Sequence, residues 1–268
     1  MNRNIIIMNF SGVYEKQRLK AVLEEKCETG NVTEVNFRDI PGTNCYCDGP
    51  AEEEIKKRIC SYGPEGMHFL DSGNYHYVTG IMTEQIKQGF SLILFDHHTD
   101  MQKPMIEHMT SCGDWAGKVL KTNPWLQQLI LIGPQERDIR QIYSEKEGLV
   151  TSTELREKLV TFSAEEIQSG EAGNKISKIK KNFPVYISID KDILDEEYSE
   201  TNWSQGKMSL PVLERLLMPF LKSGNILGID ICGECQQGML LPQYLEAEEI
   251  NGETNKELFD FLMHYSHM

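Results

Sequence analysis

Leu92-Ile93-Leu94-Phe95-Asp96-His97-His98-Thr99-Asp100 is an apolar run that stops at side chains able to hold a cation. The run is continuously apolar rather than alternating, as in a strand buried on both faces of a parallel sheet. Beyond it, Asp96, His98 and Asp100 stand at i, i+2 and i+4. In an extended chain these three point to one side and His97 to the other. Taken alone, the segment reads equally well as a solvated polar loop. What favours a cation site is the recurrence of the pattern elsewhere in the chain.

Val185-Tyr186-Ile187-Ser188-Ile189-Asp190-Lys191-Asp192 repeats the arrangement, with Asp195 shortly after. Carboxylates delivered by two buried strands repel each other unless a cation lies between them. Phe69-Leu70-Asp71-Ser72-Gly73-Asn74-Tyr75-His76 adds a strand, a glycine turn and a histidine at a helix start. Gly228-Ile229-Asp230-Ile231-Cys232-Gly233-Glu234 ends a fourth strand in acids. There Asp230 and Glu234 are candidates for a cationic substrate group or for supporting the site, and a plain charged strand end competes with that reading. The first three segments supply His76, Asp96, His98, Asp100, Asp190 and Asp192. Four carboxylates with two imidazoles suit two hard or borderline divalent ions, manganese rather than a thiolate-seeking metal. Two ions sharing a water lower its pKa and make hydroxide available near neutral pH.

Outward from these segments, strands are predicted at Ile5–Phe10, Val32–Phe37, Met67–Leu70, Leu92–Phe95, Leu129–Ile132, Val185–Ile189 and Ile226–Ile229. Helical patterns fall at Tyr14–Lys26, Ala51–Cys60, Tyr77–Gln88, Glu154–Leu159, Lys175–Lys181, Pro211–Leu221 and Asn255–His264, with Pro134 opening another. The alternation predicts an α/β fold, a three-layer α/β/α arrangement around a mostly parallel, doubly wound sheet. No repeat or linker divides the chain, so residues 1–268 are expected to form one domain. The long polar stretch Asp195–Met208 follows a strand and is expected to reach over the site.

The 268 residues are 40% hydrophobic and 25% charged, which excludes a disordered chain. No apolar run approaches the ~20 residues that span a bilayer. Ile5-Ile6-Ile7-Met8 is too short for a secretory signal and reads as a first strand, so a cytoplasmic location is expected. A net charge of −14 disfavours nucleic acid and anionic membranes as partners. The seven cysteines are an odd, scattered set that reads as reduced thiols. Cys232 and Cys235 form a lone C-x-x-C without the further ligands zinc requires.

Together the motifs resemble the arginase–agmatinase superfamily of ureohydrolases. Its D-A-H-x-D is matched by Asp96-His97-His98-Thr99-Asp100, with His97 in place of the small residue. Its S-x-D-x-D-x-x-D-P is matched by Ser188-Ile189-Asp190-Lys191-Asp192-Ile193-Leu194-Asp195, with Glu196 where proline is usual. Ser72-Gly73-Asn74-Tyr75-His76 is a looser counterpart of G-G-x-H. The resemblance implies a binuclear manganese centre. His76, Asp100, Asp96 and Asp190 would surround one ion, and Asp96, His98, Asp190 and Asp192 the other, with Asp96 and Asp190 bridging. It also implies hydrolysis at a guanidinium carbon with release of urea.

The chain departs from the family in its substrate residues. The family's D-x-x-E, whose Glu holds the guanidinium, becomes Asp230-x-x-x-Glu234, one residue longer. Glu234 is the expected substrate acid with Asp230 as its rival. His108 is the nearest counterpart of a proton-shuttling histidine. The segments Asp96–Gln102, Ser111–Trp115 and Asn202–Gly206 are similar to a divergent branch that includes enzymes converting arginine to ornithine inside peptides. The expected partner is a small guanidino compound or an arginyl peptide, with homo-oligomer formation left open. An amide hydrolase of the deacetylase type, which normally keeps one zinc, and a non-catalytic metal-containing protein are the alternatives.

Overall fold

The apolar runs become strands β1 (Ile5–Asn9), β2 (Val32–Asn36), β4 (Gly66–Phe69), β5 (Phe90–Phe95), β7 (Leu126–Ile132), β8 (Leu159–Phe162), β9 (Val185–Asp190) and β10 (Ile226–Cys232). Two short strands, β3 (Tyr46–Cys47) and β6 (Thr110–Ser111), pair antiparallel on their own. In this computed structural model, which describes residues 4–27, 32–144, 148–222, 225–235 and 238–265, the eight longer strands form one sheet. Their order is β2-β1-β4-β10-β9-β5-β7-β8. Every pairing in that sheet is parallel.

Alternate side chains of each strand feed different cores. Leu92, Leu94, Leu129 and Leu131 pack on one face with Val78, Trp115 and Leu120. Ile93, Phe95, Ile130 and Ile187 pack on the other with Leu213, Leu217 and Leu258. Burial on both faces explains why these strands read as unbroken apolar runs. The covering helices are α1 (Tyr14–Gln17), α2 (Leu19–Lys26), α3 (Gly49–Ile59), α4 (Val78–Thr83), α5 (Trp115–Thr122), α6 (Glu136–Ile142), α7 (Thr153–Lys158), α8 (Ala164–Ser169), α9 (Leu210–Leu221) and α10 (Leu241–Tyr265). None of the described helices is long and apolar enough to cross a membrane.

Several elements differ from the sequence expectation. The helix expected over Tyr14–Lys26 breaks at Arg18, whose φ of 50° lies in the left-handed region. Lys175–Lys181, expected as an α-helix, falls largely in a 3-10 stretch, Glu171–Lys178, that ends before Ile179. The C-terminal helix starts at Leu241 rather than Asn255. Edge strand β8 begins at Leu159, where a helix was expected to finish.

Candidate metal centre

Strand register builds the site. β5 and β9 are adjacent, and their ladder pairs Leu94 with Ser188 and Phe95 with Ile189. The next residues, Asp96 and Asp190, therefore leave the sheet side by side. β10 brings Cys232 opposite Asp190, and β4 follows on its other side. The turn after β4, a 3-10 segment at Gly73–Tyr75, delivers His76. Glycine is needed in this turn: a Cβ on Gly73 would come within 2.8 Å of Trp203 and 3.2 Å of Asp190 Oδ2.

His76 Nδ1 lies 3.3 Å from Asp96 Oδ2, 3.2 Å from Asp100 Oδ2 and 3.3 Å from Asp190 Oδ2. His98 Nδ1 lies 2.8 Å from Asp192 Oδ2 and 3.6 Å from Asp96 Oδ1. Potential ligand atoms converge in two sets, His76–Asp96–Asp190 and Asp96–His98–Asp192, which share Asp96. Asp190 reaches His76 through Oδ2, while its Oδ1 accepts from the Asp192 backbone N–H at 3.0 Å. The far nitrogen of each ring meets a hydroxyl: Nε2 of His76 is 2.9 Å from Ser188 Oγ, and Nε2 of His98 is 2.9 Å from Ser204 Oγ. Trp115 Nε1 donates to Asp100 Oδ2 at 2.6 Å. Asp100 itself is left-handed, with φ 49°. The loop beyond β5 thus curls rather than extends, yet Asp96, His98 and Asp100 gather on one side. His97 goes elsewhere, to a groove beside Gly133 and Ile193.

The charges are mutually frustrated. Burial, then the neighbouring charges of Asp190 and Asp96, push Asp192 well above the usual carboxylate range. Burial and the Asp96 charge bring Asp100 to about 7. Asp190 is raised chiefly by burial, while the nearby His76 charge works in the opposite direction. Asp96 is held down, against its own burial, by hydrogen bonds from His76 and His98. Burial opposes the charged form of His98, but hydrogen bonding to Asp192 and Asp96 raises it to about 12. His76 is raised in the same way by Asp100 and Asp96. Such a knot of buried carboxylates around two imidazoles is relieved by divalent cations.

The cluster forms the floor of a cavity of about 210 Å³, walled by Cys45, Tyr46, Gln102, Ser111, Cys112 and Trp203. Gln102, Ser111 and Cys112 follow β5, and Trp203 comes from the polar stretch expected to reach over the site. Cys45 and Tyr46 come from the β3 region, which no sequence pattern marked. Trp203 packs edge-on to His98, with ring centroids 5.8 Å apart. Its indole N–H donates to Asn74 Oδ1 at 3.0 Å.

The residues expected to handle substrate are placed differently. Glu234 is buried and accepts from Lys191 Nζ at 2.6 Å, Gln17 Nε2 at 2.6 Å and Asn255 Nδ2 at 2.8 Å. Asp230 is buried among Tyr186, Thr79 and His68, each at 2.7 Å. Neither lines the cavity. The position at the family's D-x-x-E spacing is Gly233, with φ 95°, where a Cβ would stand 2.4 Å from Asp190 Oδ1. Glu234, the next residue, therefore turns under the cluster to meet Lys191. His108 sits on an exposed turn with φ 66° and does not line the cavity either.

The model of the arginase family matches residues 66–233, the segment holding all six candidate ligands. The chain belongs to the arginase family. A relative described as an uncharacterized protein of Thermotoga maritima is 30% identical over 266 residues, covering 98% of this chain and 92% of that one. Among solved structures of the arginase fold, formimidoylglutamase of Bacillus subtilis superposes with a TM-score of 0.66 at 15% identity, covering 97% of this chain and 85% of its own. Agmatine ureohydrolase of Thermoplasma volcanium also gives 0.66, at 14% identity over 99% of this chain and 90% of its own. The mostly parallel sheet flanked by helices is the arginase fold.

Proposed function

We propose that this arginase-family chain is a binuclear manganese hydrolase, carried by one domain over residues 1–268. It cleaves a guanidino carbon–nitrogen bond and releases urea from an arginine-like group, free or within a peptide. The observation that carries this reading is the pair of ligand sets sharing Asp96 on the floor of a cavity. The oxygen-rich donors with one imidazole per set suit manganese. His76, Asp96, Asp100 and Asp190 would hold one ion, and Asp96, His98 and Asp192 the other, with Asp190 near enough to serve both. Such ions, when bound, act as Lewis acids and lower the pKa of water.

The chain's own residues fix and orient. Ser188 and Ser204 engage the far nitrogen of each imidazole, which leaves Nδ1 facing the carboxylates. A planar cation entering the cavity meets Trp203 and Tyr46, and aromatic rings attract guanidinium groups. Asn74 holds the indole in place. No acid outside the cluster lines this cavity among the described residues, so substrate orientation rests on the aromatic walls and the cluster itself.

The test combines metal analysis with urea release from a panel of free guanidino compounds and arginyl peptides. Two manganese ions per chain and urea from any member support the reading. Release of amine from acylated amines without urea from the panel would transfer the chain to amide hydrolysis.

A further inference from the structure

The crossover from β8 to β9 consists of the short helix α8 and the 3-10 stretch Glu171–Lys178. This cover leaves a gap against α9. Within it lies a cavity of about 440 Å³ that shares no lining residue with the metal cavity. Its floor is the sheet face carrying Ile93, Ile130 and Ile132, and its sides include Phe162, Leu216 and Phe220. The volume is in the range of small-molecule sites, ~300–1,000 Å³.

Two features set it apart from a packing defect. Ser91, 1% exposed, lines the cavity, and its hydroxyl has no hydrogen-bond partner. An unpaired buried hydroxyl is unfavourable, so native structures normally satisfy it. The second is charge. In a chain of net −14, the lining includes Lys180, Lys181, Arg215 and Lys222 and no acid. Lys181, Arg215 and Lys222 make no ion pair among the described residues. Ser91 pairs with Val185 at the start of β9, close in sequence to Lys180 and Lys181, and Val185 N–H bonds the Asn225 carbonyl just beyond Lys222. The hydroxyl and these three lysines therefore stand toward the same end, while Arg215 lies farther along and also borders the groove of His97. From Ser91 the floor runs along the strand to the level of Phe95, which pairs with Ile132. At ~3.3 Å per residue that is about 13 Å of apolar surface.

We propose that this cavity binds an alkyl carboxylate. The tail lies along Ile93, Ile130 and Ile132, and the carboxylate accepts from Ser91 Oγ and pairs with the basic rim. A single anionic oxygen pair satisfies the orphan hydroxyl and the unpaired cations together, whereas a neutral alcohol or a cationic amphiphile satisfies at most one of them.

Isothermal titration calorimetry on the full chain tests this, with dodecanoate below its micelle concentration as the probe. Dodecanol and dodecyltrimethylammonium serve as controls of equal tail length. Saturable one-to-one binding of dodecanoate is expected, at least tenfold tighter than either control. The exposed double variant Lys181→Glu/Lys222→Glu is expected to weaken it at least tenfold, and Ser91→Ala severalfold, with unfolding curves confirming that both variants fold. Equal affinity for the three amphiphiles, absence of saturable binding, or indifference to the rim variant would overturn the proposal. Self-association abolished by Ile176→Glu, without dodecanoate binding, would likewise overturn it by assigning the face to a second copy.

Discussion

The acids of the candidate metal centre and the two acids that β10 and its following turn contribute are equally buried but differently compensated. Glu234 faces a lysine and two amides, and Asp230 faces a hydroxyl, a phenol and an imidazole. Each is locally complete. Asp96, Asp100, Asp190 and Asp192 share two imidazoles, so even with both rings protonated two carboxyls are left to take up a proton or a metal cation. The difference teaches how to read a buried carboxylate. One that already has its donors is architecture, and one crowded by its own kind waits for a cation.

The strongest way to break this comparison is Asp96→Ala. Removing the carboxylate common to both ligand sets is expected to empty both metal positions and abolish turnover, checked by metal content per chain. Two ions retained would refute the sharing. Lys191→Met strikes the other group. It leaves Glu234 charged and unpaired, and the expected loss is ~3–5 kcal/mol of stability by urea unfolding. The double variant Lys191→Met/Glu234→Gln should recover most of it, and Glu234→Gln alone should lower stability rather than turnover per folded molecule.

A subtler separation uses pH. Asp100 titrates at about 7 in the folded chain, raised by burial and by Asp96, against ~3.9 unfolded. A raised carboxyl favours folding below its unfolded value, and that contribution is lost as pH rises through the folded one. The metal-free chain should therefore melt lower at pH 8 than at pH 5. Manganese at a hundredfold excess over its dissociation constant should raise the pH 8 midpoint by about 5–10 °C, and less at pH 5, where protons compete. Calorimetric scans with and without chelator would show it, and a midpoint that climbs with pH in the stripped chain would contradict it. The smallest effect is expected at His108, exposed and remote from the cavity lining. His108→Ala should change stability by less than ~0.5 kcal/mol and leave turnover intact in a steady-state assay.

Much of the sheet was legible because its strands are buried on both faces and stop abruptly in acids: Phe95 before Asp96, Ile189 before Asp190. β8 was not, because Leu159-Val160-Thr161-Phe162 follows a helix with no turn residue between them. β3 and β6, two residues each, carry no periodicity at all, so Cys45 and Tyr46 gave no signal. The convergence of His76 on the strand ends follows from turn chemistry that the Ser72-Gly73 pair suggests. The position of Glu234 does not, since nothing in the spacing reveals that Lys191, a mere spacer in its motif, turns inward to neutralise it. Gly233 was the available clue: it stands where a carboxylate was sought and leaves no room for one.

The β3–β6 pair has a kinetic consequence. In the cavity wall, Cys45 and Tyr46 are joined to Ser111 and Cys112 by a two-residue ladder extended by one bond, Cys112 N–H to the Cys45 carbonyl at 2.9 Å. So short a ladder opens at far lower free energy than the eight-stranded floor beneath it. Its amides should exchange with solvent long before those of β5 and β9. Opening of this ladder would widen the cavity lined by Cys45, Tyr46, Ser111 and Cys112 while leaving the carboxylates on the strand ends in place.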